Sequence, residues 1–170
     1  MNNTDSAKKT AVAGLMTALA LIFSYIEVLI PFNFGIPGIK LGIANLVVII
    51  AMYRLGYRYA FGINIVRVFV AGLLFSGLFG ALYSLAGALM SFAAMVLVKK
   101  AKVFSVTGVS IAGGVAHNLG QILVAAVLVE NIRIFVYFPV LIFSGVASGA
   151  IIGITAYFIL KRIPEPDRRR

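Results

Sequence analysis

The chain contains no cysteine, which excludes disulfides, thiolate nucleophiles and sulfur-ligated metal sites. Acidic residues are scarce, five in 170, and the two aspartates, Asp5 and Asp167, lie in polar end segments. No pair of carboxylates shares a helix face, so metal-assisted chemistry on a diphosphate lacks ligands, and neither a metal nor a cofactor is expected. A Gly-x-x-x-x-Gly-Lys-Ser/Thr loop is also missing, so energy for any uphill process has to come from a partner or a gradient.

What fills the chain is apolar. Hydrophobic residues make up 62% of it and the mean hydropathy is +1.06, more than a water-soluble domain of this size can bury. The membrane is therefore its expected solvent. Six stretches, at 11–30, 41–53, 59–75, 81–98, 106–129 and 136–160, read as crossing helices, because a crossing needs about 20 apolar residues and fewer where neighbours cover the ends. The expected fold is an all-α, six-helix polytopic bundle (11–160) with a polar segment before it (1–10) and a basic tail after it (161–170). A cleaved signal peptide is not expected, since apolar runs continue to the end.

The net charge of +10 is dispersed among short gaps and a tail, which argues for topology and lipid contact and against nucleic acid. Twelve of the fifteen basic residues fall in alternate gaps: Lys8, Lys9, Arg54, Arg58, Lys99, Lys100, Lys102, Lys161, Arg162, Arg168, Arg169 and Arg170. Lys40 and Arg133 fall in the others, and Arg67 lies inside a run. The positive-inside rule then puts both termini in the cytoplasm of a cell, on a multi-pass plasma-membrane protein of bacterial type. The external connections are 31–40, the bend near Gly77, and 130–138.

Polar side chains inside apolar runs carry whatever function there is, since a central charge costs about 2.5–3.5 kcal/mol on insertion scales. They are Glu27, Asn45, Asn64, Arg67, His117, Asn118 and Gln121. At about 1.5 Å per residue, Arg67 lies roughly 13 Å beyond Arg58 and His117 roughly 16 Å beyond Val106, both near the midplane. The others map toward the external side, with Lys40 at the rim. Spacings of three and four put Asn64 with Arg67, and His117 and Asn118 with Gln121, on common helix sides. These faces could line one funnel, in which Arg67 grips a phosphate or carboxylate. In the blander alternative, Arg67 pairs with Glu27, His117 and the amides bridge helices, and nothing is bound.

Small residues supply a second pattern. Ala11, Gly14 and Ala18 form a smooth strip on the first helix, suited to a partner helix inside or outside the chain, and Gly145 with Gly149 reads as tight internal packing.

Several separated motifs resemble one family: Glu27-Val-Leu-Ile-Pro-Phe32, Gly38-Ile-Lys-Leu-Gly-Ile-Ala-Asn45, Tyr83-Ser-Leu-Ala-Gly-Ala-Leu-Met-Ser91, Ala116-His-Asn-Leu-Gly-Gln121 and Phe138-Pro-Val-Leu141. They resemble the small membrane proteins known as heptaprenyl diphosphate synthase component I or as Gx transporters, and more broadly the S components of energy-coupling factor (ECF) vitamin importers. That resemblance implies a non-enzymatic subunit that captures a small, anionic or amphipathic nutrient outside. It also implies a coupling transmembrane subunit, docked on Gly14 and Ala18, and two ATPases. Two alternatives stay open: a non-catalytic membrane partner in isoprenoid or quinone synthesis, and a stand-alone facilitator.

Overall fold

The computed structural model describes residues 3–30 and 42–163. Among these the chain forms six α-helices: α1 (Asn3–Leu29), α2 (Ile43–Arg54), α3 (Tyr57–Ala71), α4 (Gly77–Lys100), α5 (Val106–Leu128) and α6 (Phe138–Arg162). A π-helical turn, Gly72–Ser76, joins α3 to α4, and a 3-10 turn, Ile132–Tyr137, precedes α6. The expected loops at 31–40 and the tail beyond 163 lie outside the described residues.

Several boundaries differ from expectation: α3 stops at Ala71 rather than 75, α4 starts at Gly77 rather than 81, and both outer helices run longer. α1 starts at Asn3 rather than near 11, so the polar segment is helical: Asp5 sits in the first turn, where the positive end of the helix favours a carboxylate, and Thr10 Oγ1 donates back to the Ser6 carbonyl at 3.0 Å. α6 likewise carries on through Lys161 and Arg162, whose charges suit a C-terminal turn.

Four helical stretches are long and apolar enough to cross a bilayer: Asp5–Leu29, Tyr57–Lys100, Val106–Leu128 and Ile132–Arg162. The 44-residue stretch is not one rod, because it folds back on itself. Phe61 and Phe92 meet with centroids 5.3 Å apart and rings tilted by 58°, Asn64 Nδ2 donates to the Ala88 carbonyl at 3.2 Å, and Gly72 packs on Ala81. Gly77 makes the reversal with φ +66°, a conformation that favours glycine. α2, the second expected crossing, has twelve residues and spans only about 18 Å. It is apolar on all sides and surrounded: Val47, Val48, Ile49, Ile50, Ala51 and Met52 are all buried, packed among Ala20, Ile63, Met95, Val109 and Ile152.

Cationic side chains tie helix ends together. Lys99 Nζ, at the end of α4, donates to the Met52 carbonyl of α2 at 2.7 Å and lies over the Tyr53 and Tyr57 rings at 4.1 and 4.8 Å. Arg54, at the end of α2, donates to the Leu160 and Ile163 carbonyls of α6. Each cation sits where orphan carbonyls concentrate negative charge, and the C-terminal ends of α2, α4 and α6 are thereby gathered at one end of the bundle.

α5 and α6 meet backbone to backbone. A Cβ on Gly145 would lie 2.9 Å from the Gly114 carbonyl group, one on Gly149 2.7 Å from Ile111 Cα, and one on Gly153 2.6 Å from Thr107 Cα. The Gly145–Gly149 pair is thus internal packing. Gly145→Ala should force the two helices apart and destabilise the protein by about 1–3 kcal/mol. Gly62→Ala, where a Cβ meets nothing within 4 Å, should be neutral or stabilising by up to about 1 kcal/mol. Thermal unfolding of both variants in detergent checks the contrast.

Candidate ligand-binding cavity

All six helices contribute to one hollow in the half of the bundle away from the cationic ties. Glu27 and Val28 come from α1, Asn45 from α2, Arg67 and Val68 from α3, Ser84 from α4, His117 and Asn118 from α5, and Ser148 and Ile152 from α6. The hollow offers about 100 Å³ to the centres of water-sized molecules, several times the roughly 10–15 Å³ that one water needs. Its wall alternates apolar side chains with hydroxyls and amides, which suits a ligand with both polar and apolar parts.

Several of the polar groups have an identifiable support. Asn64 is 1% exposed and spans two helices: its Nδ2 donates to the Ala88 carbonyl at 3.2 Å while its Oδ1 accepts from Arg67 Nη2 at 2.8 Å. The amide therefore fixes the guanidinium and leaves Arg67 Nε enclosed with no hydrogen-bond partner. Glu27 Oε1 accepts from the Ile43 amide at 2.9 Å. Gly42, the residue before α2, has no side chain to cap the helix, so a carboxylate from α1 takes that role across 16 residues. Glu27 also lies near enough to attract the Arg67 charge. Asn118 Nδ2 donates to the Leu141 carbonyl at 2.7 Å, fastening α5 to α6 beside the hollow.

Five expected residues, Glu27, Asn45, Arg67, His117 and Asn118, share this cavity. Two do not line it. Asn64 stands behind Arg67, consumed by the α3–α4 contact. Gln121 is 1% exposed and packs on α4, where a Cβ on Gly87 would come within 2.9 Å of its Cγ and 2.8 Å of His117 Cε1. Neither amide atom of Gln121 has a hydrogen-bond partner. Lys40 lies outside the described residues. Among those described, no three His, Cys, Asp or Glu side chains gather as a metal site would require.

Sequence reasoning missed five serines on the wall: Ser24, Ser76, Ser84, Ser110 and Ser148. Serine is cheap in a helix because its hydroxyl can bond back along the chain, as Ser24 does to Ala20 and Ser148 to Gly145, so it raises no alarm in an apolar run. Spacing held the clue, since Ser24 precedes Glu27 by three, and Ser110, Gly114 and His117 follow one helix side. Ser110 is fully buried and its hydroxyl has no partner.

Away from the hollow, Ala11, Gly14 and Ala18 lie exposed on the outer face of α1, and a Cβ on Gly14 would meet nothing within 4 Å. The strip is not used for packing within the chain.

Residues 16–159 match the family model described as heptaprenyl diphosphate synthase component I. The chain belongs to that family. No curated protein and no solved structure matches it. In this component I chain the matched region begins within α1 and ends within α6, so it takes in every described side chain that lines the cavity.

Glu27→Ala should strip the cap from α2 and cost about 1–3 kcal/mol of stability, the usual penalty for a buried donor left unpaired. Glu27→Gln, which keeps an acceptor oxygen, should retain most of it. Unfolding midpoints, with amide exchange at Ile43 and Ala44, separate the two.

Proposed function

We propose that this protein is a membrane-embedded, non-catalytic binding component that holds the head group of an anionic, amphipathic small molecule on Arg67. The observation that carries this reading is the Arg67 arrangement itself: a guanidinium steadied by Asn64 and turned on a polar hollow, with Nε still unpaired. Such a group in hydrocarbon is costly unless it meets an anion, and its planar edge suits phosphate or carboxylate. His117, Asn45 and the wall serines would complete the cradle.

The family description supports placing this activity in heptaprenyl diphosphate synthesis, with a prenyl phosphate as ligand class and a second synthase component as partner. In this reading the chain crosses the membrane six times, α2 being the shortest of the crossings. Both termini are cytoplasmic, because Arg58, Lys99, Lys100 and Lys102 crowd the end where Arg54 and Lys99 tie the helices.

A second reading is favoured by one observation, the unpacked Ala11–Gly14–Ala18 strip on the outer face of α1. It suits the docking of another helix closely enough to support an S-component role in an ECF importer, with a coupling subunit and two ATPases.

Arg67→Ala should weaken binding of farnesyl phosphate to the purified protein by roughly 2–5 kcal/mol, measured by native mass spectrometry or titration in detergent. Unchanged affinity would return Arg67 to a structural role. Affinity capture from native membranes separates the contexts. Recovery of a synthase subunit supports the first, and recovery of ATPases, lost when Gly14 and Ala18 are both replaced by leucine, supports the second.

A further inference from the structure

Between Arg67 and Lys99 the chain carries no charged residue and no histidine, and the tip of the α3–α4 hairpin lies in the middle of that span. Its outward side chains are large and apolar: Leu73, Leu74, Leu78 and Phe79 are between 58% and 69% exposed. From Arg58 to Ser76 the helical chain rises about 27 Å, close to the roughly 30 Å thickness of a hydrocarbon layer. The tip thus ends at the far edge of the acyl chains with no polar anchor to draw it into water, and four exposed apolar side chains at that level are matched by lipid.

The same tip is a wall of the cavity. Gly72 and Ser76, the two ends of the π-helical turn, line the hollow, as do Ser24 and Val28 of α1. Across this seam Tyr25 of α1 meets Phe75 of the tip, centroids 5.3 Å apart and rings tilted by 40°. The tip is lightly held: its turn is π-helical, a rare local departure from α-helix, Ser76 gives α4 no side-chain cap, and Gly77 turns the chain at φ +66°.

We infer that the hollow opens sideways between α1 and the hairpin tip, into the leaflet away from the basic end, and that its ligand is a single-chain lipid anion whose tail runs out past Tyr25 and Phe75. This rests on Arg67 as the head-group site, and it adds a route and a tail to that reading. A soluble anion would need neither the apolar tip nor a seam made of small residues and two rings.

The native chain has neither cysteine nor tryptophan, so both can be introduced as single probes. In nanodiscs, the Tyr25→Cys/Phe75→Cys variant is bridged with a short bis-methanethiosulfonate, which reductant removes. Binding of farnesyl phosphate and of the short-tailed dimethylallyl phosphate is compared before and after bridging, with Arg67→Ala in parallel. The bridge should weaken farnesyl phosphate at least tenfold, reversibly, and leave dimethylallyl phosphate unchanged. If both ligands bind as before, or both are lost together, the sideways route is overturned while Arg67 dependence still supports the head-group site. If Arg67→Ala binds both normally, it is the head-group site that falls. Independently, Leu78→Trp should be quenched by lipids brominated on their acyl chains. Quenching by aqueous iodide instead would place the tip in water and overturn the route.

Discussion

A twelve-residue helix cannot satisfy its own ends, and α2 is such a helix. Its first N–H groups and last carbonyls have no partners within the helix. Both debts are met from elsewhere in the chain: the Glu27 carboxylate of α1 receives the Ile43 N–H, and the Lys99 ammonium of α4 donates to the Met52 carbonyl. With those two contacts α2 can sit as a surrounded element, apolar but for Asn45 near its start and Arg54 at its end. At its N-terminal end Gly42 and Asn45 border the hollow. The two charges that make a short helix tolerable thus also fix the end of α2 that borders the cavity.

The same economy governs Arg67. A guanidinium near the middle of an apolar bundle needs donors satisfied and a fixed direction, and Asn64 supplies both by binding it on one side and the Ala88 carbonyl on the other. The amide is thus a strut between α3 and α4. Gly87 does the corresponding work opposite α5, making room for His117 and Gln121 where any side chain would collide. The polar interior is held by a layer of residues that do not themselves face the hollow.

Much of this was legible in the sequence, because hydrocarbon penalises polarity so heavily that each buried polar residue announces itself. The convergence of Glu27, Asn45, Arg67, His117 and Asn118 was one of the two arrangements that depth and helical spacing allowed. What spacing cannot tell is which of two residues on one helix side faces the cavity and which faces a neighbour, so Asn64 and Gln121 were placed one layer too far in. The serines escaped because a hydroxyl satisfied by its own helix costs little. α1 begins earlier than its apolar run, since helix formation needs only capping and propensity, whereas hydropathy marks where lipid begins. The reversal at Gly77 lacks the polar signature of a turn in water.

The glycine ladder along α5 and α6 has a mechanical implication. With Gly145, Gly149 and Gly153 laid against opposing backbone, these two helices cannot slide or roll without steric overlap, since no side chain stands between them to change rotamer. They form a stiff keel. Any breathing of the protein is therefore relegated to the opposite flank, the part of the molecule built from α1 and the hairpin, while the keel stays still.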